Sequence, residues 1–278
     1  MRIGIICYPT FGGSGVVATE LGIELSKRGH HVHFMAYKKP VRLDTNLVRI
    51  HFHEVHVPNY PLFHYQPYEL ALSSALVDMV RLHKIDLLHA HYAIPHAYAA
   101  FMAKQMLAEL QINTPIVTTL HGSDITLVGS HPFYKPAVTF SINNSDVVTC
   151  VSKSLKHDTK DIFNVKMEID VVPNFIDIQK YERLRNTCSR EQLVKPDERL
   201  VTHVSNFRPV KRVQDVLSVF AKVNKKVKSR LILVGDGPER QSAEEYTKEL
   251  GLSDVVDFVG KSNDCLLYTS PSPRDIGE

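Results

Sequence analysis

The residues with the clearest chemical potential follow an apolar, β-branched run. Residues 116–120 read Ile-Val-Thr-Thr-Leu and end abruptly in His121-Gly122-Ser123-Asp124. This pattern predicts a buried parallel strand that delivers polar groups to the carboxyl edge of a sheet, where open α/β folds bind ligands. His121 is therefore a candidate catalytic residue, although one histidine among 15 can also be structural. Asp124 would either orient His121 or cap the following helix.

A glycine-rich loop separates the first predicted strand from the first predicted helix. Residues 12–15 read Gly-Gly-Ser-Gly, and their N–H groups together with the helix N-terminus favour an anion. One alternative is a tight turn needed only for packing. Another is a dinucleotide site, because residues 13–18 fit G-x-G-x-x-G/A. The acidic residue expected after the second strand is absent, but Lys38 and Lys39 could meet the extra phosphate of NADP.

Two cations follow the first strand of a second predicted domain. Arg208 and Lys211 can neutralise a diphosphate and stabilise charge that builds on a leaving phosphate. The alternative is a solvated helix start, where cations would oppose the helix dipole. The segment 235–239, Gly-Asp-Gly-Pro-Glu, predicts a tight loop that is either structural or in contact with a nucleotide.

Several histidines at i, i+2 spacing raise the question of a metal. His89 and His91 share one face of a strand, as do His51 and His53, with His56 nearby. No carboxylate or cysteine joins them at a recognisable spacing. We therefore predict no metal site.

These residues are positioned by a regular alternation of strands and helices, which predicts an α/β fold with doubly wound parallel sheets and helices on both faces. We expect first-domain strands at 3–8, 32–36, 48–53, 86–90, 116–120, 146–151 and 169–172, and helices through 17–25, 68–83, 95–110 and 132–143, with a short one before the last strand. We expect second-domain strands at 200–205, 231–235 and 255–259, and helices at 213–227 and 239–250.

The predicted domains are 1–175, a linker at 176–199, and a partial second domain at 200–264. The second domain has fewer strands than the five or six of an average sheet. Residues 265–278 continue no β-α pattern and resemble the translation of a sequencing-library adapter. We expect this tail to be non-native, the alternative being a natural disordered tail.

Composition narrows the class of protein. The 278 residues carry a net charge of +3, which gives no sign of nucleic-acid binding. Four cysteines form no CxxC pair and suggest reduced thiols, and no apolar run reaches membrane-spanning length. We expect a cytoplasmic protein without a membrane or nucleic-acid partner.

The combined motifs resemble retaining GT-B glycosyltransferases of family GT4. The resemblance rests on segments 12–15, 173–177, 208–211 and 235–239. It implies two Rossmann-like domains that face a cleft, the first binding the acceptor and the second, here truncated, binding a nucleotide sugar. Segments 89–97, 118–126 and 203–212 more narrowly resemble the branch that transfers N-acetylglucosamine from UDP-GlcNAc to the hydroxyl of L-malate, the first step of bacillithiol biosynthesis.

The resemblance also implies roles for individual residues. Arg208 and Lys211 would hold the diphosphate, and the main chain at His121 would lie beside the sugar. Acceptor contacts would come from Ser14, Tyr92 and Thr119, and donor contacts from Gly12, Gly13, Asn206, Arg208, Lys211, Gly235 and Gly237. Asn206 stands where many relatives carry arginine. The resemblance therefore leaves open which role each of the cations Arg208 and Lys211 has at the diphosphate. No cofactor or metal is implied, and relatives often self-associate, which allows a homo-oligomer.

One family motif, Glu-x7-Glu, does not occur before the sequence ends. We therefore expect the 278-residue chain as written to be inactive, and the implied activity to belong to the complete gene product. The alternatives are a GT4 transferase with another acceptor, such as an inositol or a lipid, an NADP-linked oxidoreductase, and a non-enzymatic sugar-nucleotide sensor.

Overall fold

The computed structural model describes residues 1–10, 13–59, 64–178 and 193–261. The chain divides into two compact units, Met1–Phe175 and Ile176–Glu278. Gly12, the predicted tail 265–278 and most of the predicted linker lie outside the described residues.

The first unit contains a seven-stranded parallel sheet with the order β3-β2-β1-β4-β5-β6-β7. The strands are β1 Arg2–Ile6, β2 His31–Ala36, β3 Ile50–Glu54, β4 Leu87–His91, β5 Ile116–Leu120, β6 Val147–Cys150 and β7 Ile169–Val171. Each predicted strand of this domain is present to within a few residues. The order places β1, β4 and β5 side by side, so their carboxyl ends share one stretch of the sheet edge.

The helices of the first unit cover both faces of the sheet. They are α1 Ser14–Lys27, α2 Tyr68–His83, α3 Tyr98–Glu109, α4 Ser123–Thr126, α5 Lys135–Asn143 and α6 Lys153–Ile162. Ile6, Leu76 and Leu107 belong to a core cluster that includes residues of α2 and α3. Ile5, Phe34 and Ala18 belong to a separate cluster that includes α1. The predicted doubly wound arrangement is therefore confirmed for this unit.

Local sequence signals explain some of the helix boundaries. Helix α1 ends where Arg28 and Gly29 follow, and Gly29 has a φ of 92° that suits glycine. Ser152 caps α6 by accepting a hydrogen bond from the Leu155 N–H. The helix predicted from residue 95 begins only at Tyr98, because the preceding residues form a π-helical turn at Ala93–Ala97 in which Ile94 is extended (φ −131°, ψ 141°).

The second unit contains a three-stranded parallel sheet of order β10-β9-β8 in the described residues. The strands are β8 Arg199–Val204, β9 Ser229–Val234 and β10 Val256–Gly260, and the helices are α7 Val213–Asn224 and α8 Arg240–Glu249. Its core includes Phe207, Leu217 and Leu231. Across the part of the chain that the structure describes, no helix is long and apolar enough to cross a bilayer.

Candidate active site

The polar edge of the first unit is built where β4 and β5 end. His91 is paired with Thr119 in the sheet register, and His121 follows one residue after β5. Successive side chains of a strand alternate between faces, so His89 and His91 share the face that carries Thr119 and His121. The edge predicted from the sequence is therefore an arrangement of imidazole and hydroxyl groups.

His121, the predicted catalytic residue, is hydrogen-bonded to His91. The distance between His121 Nε2 and His91 Nδ1 is 2.9 Å, and the two rings are stacked with centroids 5.1 Å apart. Burial lowers the pKa of His121 to about 4, so this ring is neutral at pH 7. The geometry suits a neutral hydrogen-bonding group better than a charged one.

Asp124 fixes the main chain of the loop after β5. Its Oδ1 accepts hydrogen bonds from the backbone N–H groups of His121 (3.1 Å) and Gly122 (2.9 Å), and its Oδ2 accepts one from Ala93 (3.3 Å). Burial raises the pKa of this carboxyl group, and the backbone donors oppose that rise. Of the two expected roles, Asp124 therefore orients His121, through its backbone rather than its ring, and it does not cap the following helix because it lies inside the short helix α4. The N–H of His121 is occupied, which leaves its carbonyl as the main-chain group of this residue that can accept a hydrogen bond from a ligand.

Tyr92, a predicted acceptor contact, has a backbone conformation that few non-glycine residues adopt. Its φ is 91° and its ψ 135°, while its N–H donates to the Thr119 carbonyl at 3.0 Å. The phenol oxygen lies 2.6 Å from Ser123 Oγ, and the ring packs edge-to-face against Tyr8 at 5.2 Å. Backbone strain of this kind clusters at binding sites because the surrounding structure must maintain it.

Thr119 has little room for a ligand. It is 7% exposed, and its Oγ1 lies 2.7 Å from both His89 Nε2 and Thr149 Oγ1. An acceptor could contact this hydroxyl only by displacing one of those partners. Its acceptor role stays a prediction.

The start of α1 completes this edge. Gly13 precedes the helix with φ 65° and ψ −137°, and within the described residues no side chain caps the helix N-terminus. A Cβ on Gly15 would lie 2.3 Å from the Tyr8 carbonyl oxygen, so only glycine lets the helix approach the end of β1. Ser14, a predicted acceptor residue, is 7% exposed at the first helical position. The uncapped N–H groups of this turn can donate hydrogen bonds to a carboxylate or phosphate.

A cavity of about 610 Å³ opens beside these residues in the first unit. Its lining is rich in tyrosine and includes Tyr8, Tyr37, Tyr68, Glu69, Ile94, Pro95, Tyr98, Val128, Tyr134 and Ala137. Within the described residues, the Tyr68 hydroxyl is buried and has no hydrogen-bond partner. A cavity with this lining suits an organic group with both apolar and hydroxyl parts.

The second unit brings its predicted donor residues to the ends of β8 and β9. Asn206, Arg208 and Lys211 are exposed, with Lys211 in a short 3-10 turn at Pro209–Lys211. A Cβ on Gly235 would lie 1.7 Å from the Ser205 carbonyl oxygen, and one on Gly237 would lie 2.0 Å from that of Asn206. The two glycines are therefore required for close packing of the loops, which explains them structurally and leaves ligand contact a prediction.

Sequence reasoning missed several members of the polar edge. His96 donates from Nδ1 to the His91 carbonyl at 2.6 Å, and in the described part of the chain its Nε2 is buried without a partner. Ser123 and Tyr8 also contribute, through their contacts with Tyr92. Tyr8 could have been found by the rule that located His121, because it also lies just past the end of a central strand.

Comparison with known proteins gives matches along most of the chain. Residues 11–180 match the family described as Glycosyltransferase Family 4, and residues 185–269 match Glycosyl transferases group 1. The chain is similar to N-acetyl-alpha-D-glucosaminyl L-malate synthase of Bacillus anthracis, with 46% identity over 264 residues, which is 95% of this chain and 68% of that protein.

Two more distant similarities extend the comparison. Alpha-monoglucosyldiacylglycerol synthase of Streptococcus pneumoniae is 25% identical over 285 residues, which cover 94% of this chain and 61% of that protein. The crystal structure of Anabaena HepE in complex with UDP and glucose has a TM-score of 0.74 at 17% identity. The match covers 96% of this chain and 71% of that structure. At 17% identity it shows a shared fold and nothing more.

Proposed function

The chain belongs to glycosyltransferase family 4, and on that premise we propose that it is a retaining transferase that moves N-acetylglucosamine from UDP-GlcNAc to the hydroxyl of L-malate. The observation that carries this proposal is the 46% identity to the malate synthase over 264 residues, because that similarity extends over 95% of this chain. Membership of this family also argues against the NADP-linked alternative for the glycine loop.

In the proposed reaction, the bond between the sugar's anomeric carbon and the diphosphate oxygen breaks, and its electron pair leaves with UDP. The malate hydroxyl forms the new bond on the same face, and its proton passes to the departing phosphate oxygen. No metal ion is needed for this step in the proposal. The protein contributes positioning and stabilisation of charge.

The first unit is proposed to bind the acceptor. One malate carboxylate would accept hydrogen bonds from the uncapped N–H groups at the start of α1, beside Ser14. The Tyr92 hydroxyl, which lies 2.6 Å from Ser123 Oγ, would hydrogen-bond a second polar group of malate. The His121 carbonyl would accept a hydrogen bond from a hydroxyl of the sugar.

The second unit is proposed to bind the donor diphosphate through Arg208 and Lys211. Neither side chain forms an ion pair or hydrogen bond with another described residue, and both are exposed. Charge-assisted hydrogen bonds to a diphosphate are stronger than neutral ones. Asn206, Gly235 and Gly237 would border the nucleotide.

The test is a transfer assay with protein expressed from the complete reading frame of the source gene, so that the result does not depend on where the present sequence ends. We expect UDP release with L-malate, none with succinate, which lacks the hydroxyl, and an α-linked product by NMR. A β-linked product would contradict retention, and UDP release only with other acceptors would contradict malate.

Removing the hydroxyl of Tyr92 tests whether this residue binds the acceptor or has only a structural role. Tyr92→Phe is expected to raise the KM for malate about tenfold with the KM for UDP-GlcNAc unchanged, since one hydrogen bond of about 1.4 kcal/mol is lost. Tyr65→Phe is the matched control, because Tyr65 is 83% exposed. Equal KM values for the two variants would remove Tyr92 from the acceptor site.

A second acceptor class is favoured by the tyrosine-rich cavity. Its volume of about 610 Å³ is larger than a four-carbon dianion requires, and the lining is largely aromatic and apolar. The pneumococcal relative, by its name, makes a glycolipid. Diacylglycerol and inositol acceptors therefore belong in the same assay, and turnover with a lipid that falls in Tyr134→Ala would support this alternative.

A further inference from the structure

A group of histidines outside the polar edge occupies neighbouring strands of the first unit. His33 of β2 pairs in register with His51 of β3, and Met35 pairs with His53. The last residue of α2, His83, comes close to both strands. Three elements therefore deliver imidazole rings to one place.

The ring nitrogens of His33, His53 and His83 lie close enough to share one ion. His33 Nδ1 and His53 Nε2 are 3.0 Å apart, and the ligand atoms of all three residues lie within 4.8 Å of one another. The His83 ring centroid is 4.8 Å from each of the other two. A tetrahedral zinc ion with Zn–N bonds of about 2.05 Å holds its nitrogens about 3.3 Å apart. One pair is already near this spacing, and the third ligand needs a side-chain adjustment of about 1.5 Å at most.

We propose that His33, His53 and His83 bind one Zn²⁺ ion and leave its fourth position to water. Imidazole nitrogen is a preferred donor for zinc and a poor one for Mg²⁺ or Ca²⁺, which take oxygen ligands. Burial and the neighbouring imidazoles lower the pKa of His33 to about 3 and that of His53 to about 4, so their lone pairs are available at neutral pH.

The surroundings fix the backbone of the third ligand, His83, and place a positive charge near the ring cluster. Arg2 donates from Nη1 to the His83 carbonyl at 2.7 Å, and its backbone N–H donates to Asp86 Oδ2 at 2.7 Å. These bonds fix the end of α2 against the start of β1. The Arg2 guanidinium charge also opposes a bound cation by like-charge repulsion, as it adds slightly to the lowering of the His33 pKa that burial and the neighbouring imidazoles cause.

The bound ion would join β2, β3 and α2 and would stabilise the first unit. The ligands are separate from the residues of the candidate active site, so the proposal does not depend on malate or UDP-GlcNAc. It departs from the sequence prediction of no metal. The spacing of His53 from His51 raised the question of a metal, but His33 and His83 lie on other elements and carry no short spacing motif that would join them to His53.

The test measures zinc binding by the 278-residue chain. The protein is produced without a histidine tag, stripped with EDTA, and titrated with Zn²⁺ against a chromophoric chelator. We expect one tightly bound Zn²⁺ per chain, and Co²⁺ in its place should show the strong visible absorption of a tetrahedral complex. His53→Gln and His83→Gln should each weaken binding by about 100-fold or more, since each removes one of three protein ligands.

His157→Gln is the matched control, because His157 is 77% exposed on α6. It should bind Zn²⁺ as the unmodified chain does, and Zn²⁺ should raise the Tm of both. His83→Gln should keep the metal-free Tm and circular dichroism but lose the rise in Tm. No stoichiometric zinc uptake, an octahedral Co²⁺ spectrum, or equal affinity in His83→Gln and His157→Gln would overturn the proposal.

Discussion

Asp124 is the residue on which the loop after β5 depends. Its carboxylate is 1% exposed and accepts hydrogen bonds from three backbone N–H groups. Asp124→Asn removes the charge and one acceptor oxygen, so at least one buried donor loses its partner. We expect the free energy of unfolding, measured with urea, to fall by about 2–3 kcal/mol. Asp44→Asn, at an exposed carboxylate that accepts one hydrogen bond from the Asn46 N–H, should change it by less than about 0.5 kcal/mol.

Arg208 and Lys211 allow binding to be separated from folding. Both are exposed, so Arg208→Gln and Lys211→Gln should leave the Tm unchanged. Each should weaken UDP binding about 10- to 100-fold, because a charge-assisted hydrogen bond to phosphate is worth about 1.5–3 kcal/mol. Isothermal titration with UDP measures this effect, and Lys222→Gln on α7 is the control for loss of one exposed positive charge. Equal affinity in all three variants would exclude the two cations from the donor site.

Individual residues were predictable where a single rule applied. His121 was found because it follows a buried strand, and the structure puts it on the polar edge. The hydrogen bond to its ring partner His91 was not predicted, since hydrogen bonds between side chains of neighbouring strands have no sequence signature. The meeting of His33 with His83 depends on how α2 packs, which no local pattern encodes.

Helix α1 is positioned by the absence of a side chain at Gly15. A Cβ there would lie 2.3 Å from the Tyr8 carbonyl oxygen and 2.7 Å from Thr10 Oγ1. In most helices Gly→Ala is stabilising, but here Gly15→Ala should lower the free energy of unfolding by about 1–3 kcal/mol, because backbone atoms must move apart. Urea denaturation measures the change. Lys27→Ala, at the exposed end of the same helix, is the control and should have little effect.

Element boundaries were predicted best where the pattern of apolar residues was clear. Helix α2 spans Tyr68–His83 and β5 spans Ile116–Leu120, as expected. Residues 95–97 were predicted as the start of a regular helix, but they belong to a π-helical turn at Ala93–Ala97. Its departure depends on Tyr92, whose backbone is held by the Thr119 carbonyl of another strand.

The predicted α/β fold class of the GT-B type is confirmed for the molecule as a whole. Both units have parallel sheets, and the fold match to Anabaena HepE covers 96% of this chain. Alternating strands and helices imply this class because crossover connections have one hand and short paths. The substrates are not implied in the same way, since they depend on a few side chains at the sheet edge. The predicted domain limits at 175, 199 and 264 stay predictions.

The stability of the whole molecule should depend on pH through its buried imidazoles. Burial lowers the pKa of His89, His96 and His121 to about 4, and that of His91 also falls. In the unfolded chain these groups titrate near 6.5, so unfolding takes up protons below that pH. The stability they contribute is therefore fully present above about pH 6.5 and is lost as the pH falls through about 4. Each group adds a slope of up to about 1.4 kcal/mol per pH unit.

Substitution of one imidazole isolates its share of this slope. His96→Gln should reduce the dependence of the free energy of unfolding on pH between 6.5 and 4.5 by about 1 kcal/mol per pH unit, whatever its effect at pH 7.5. His157→Gln, at an exposed position, should keep the slope of the unmodified chain. Urea unfolding at a series of pH values in the presence of EDTA measures these slopes. The same slope in both variants would mean that His96 is not a neutral buried group in the folded protein, because only a pKa difference between the folded and unfolded states produces the effect.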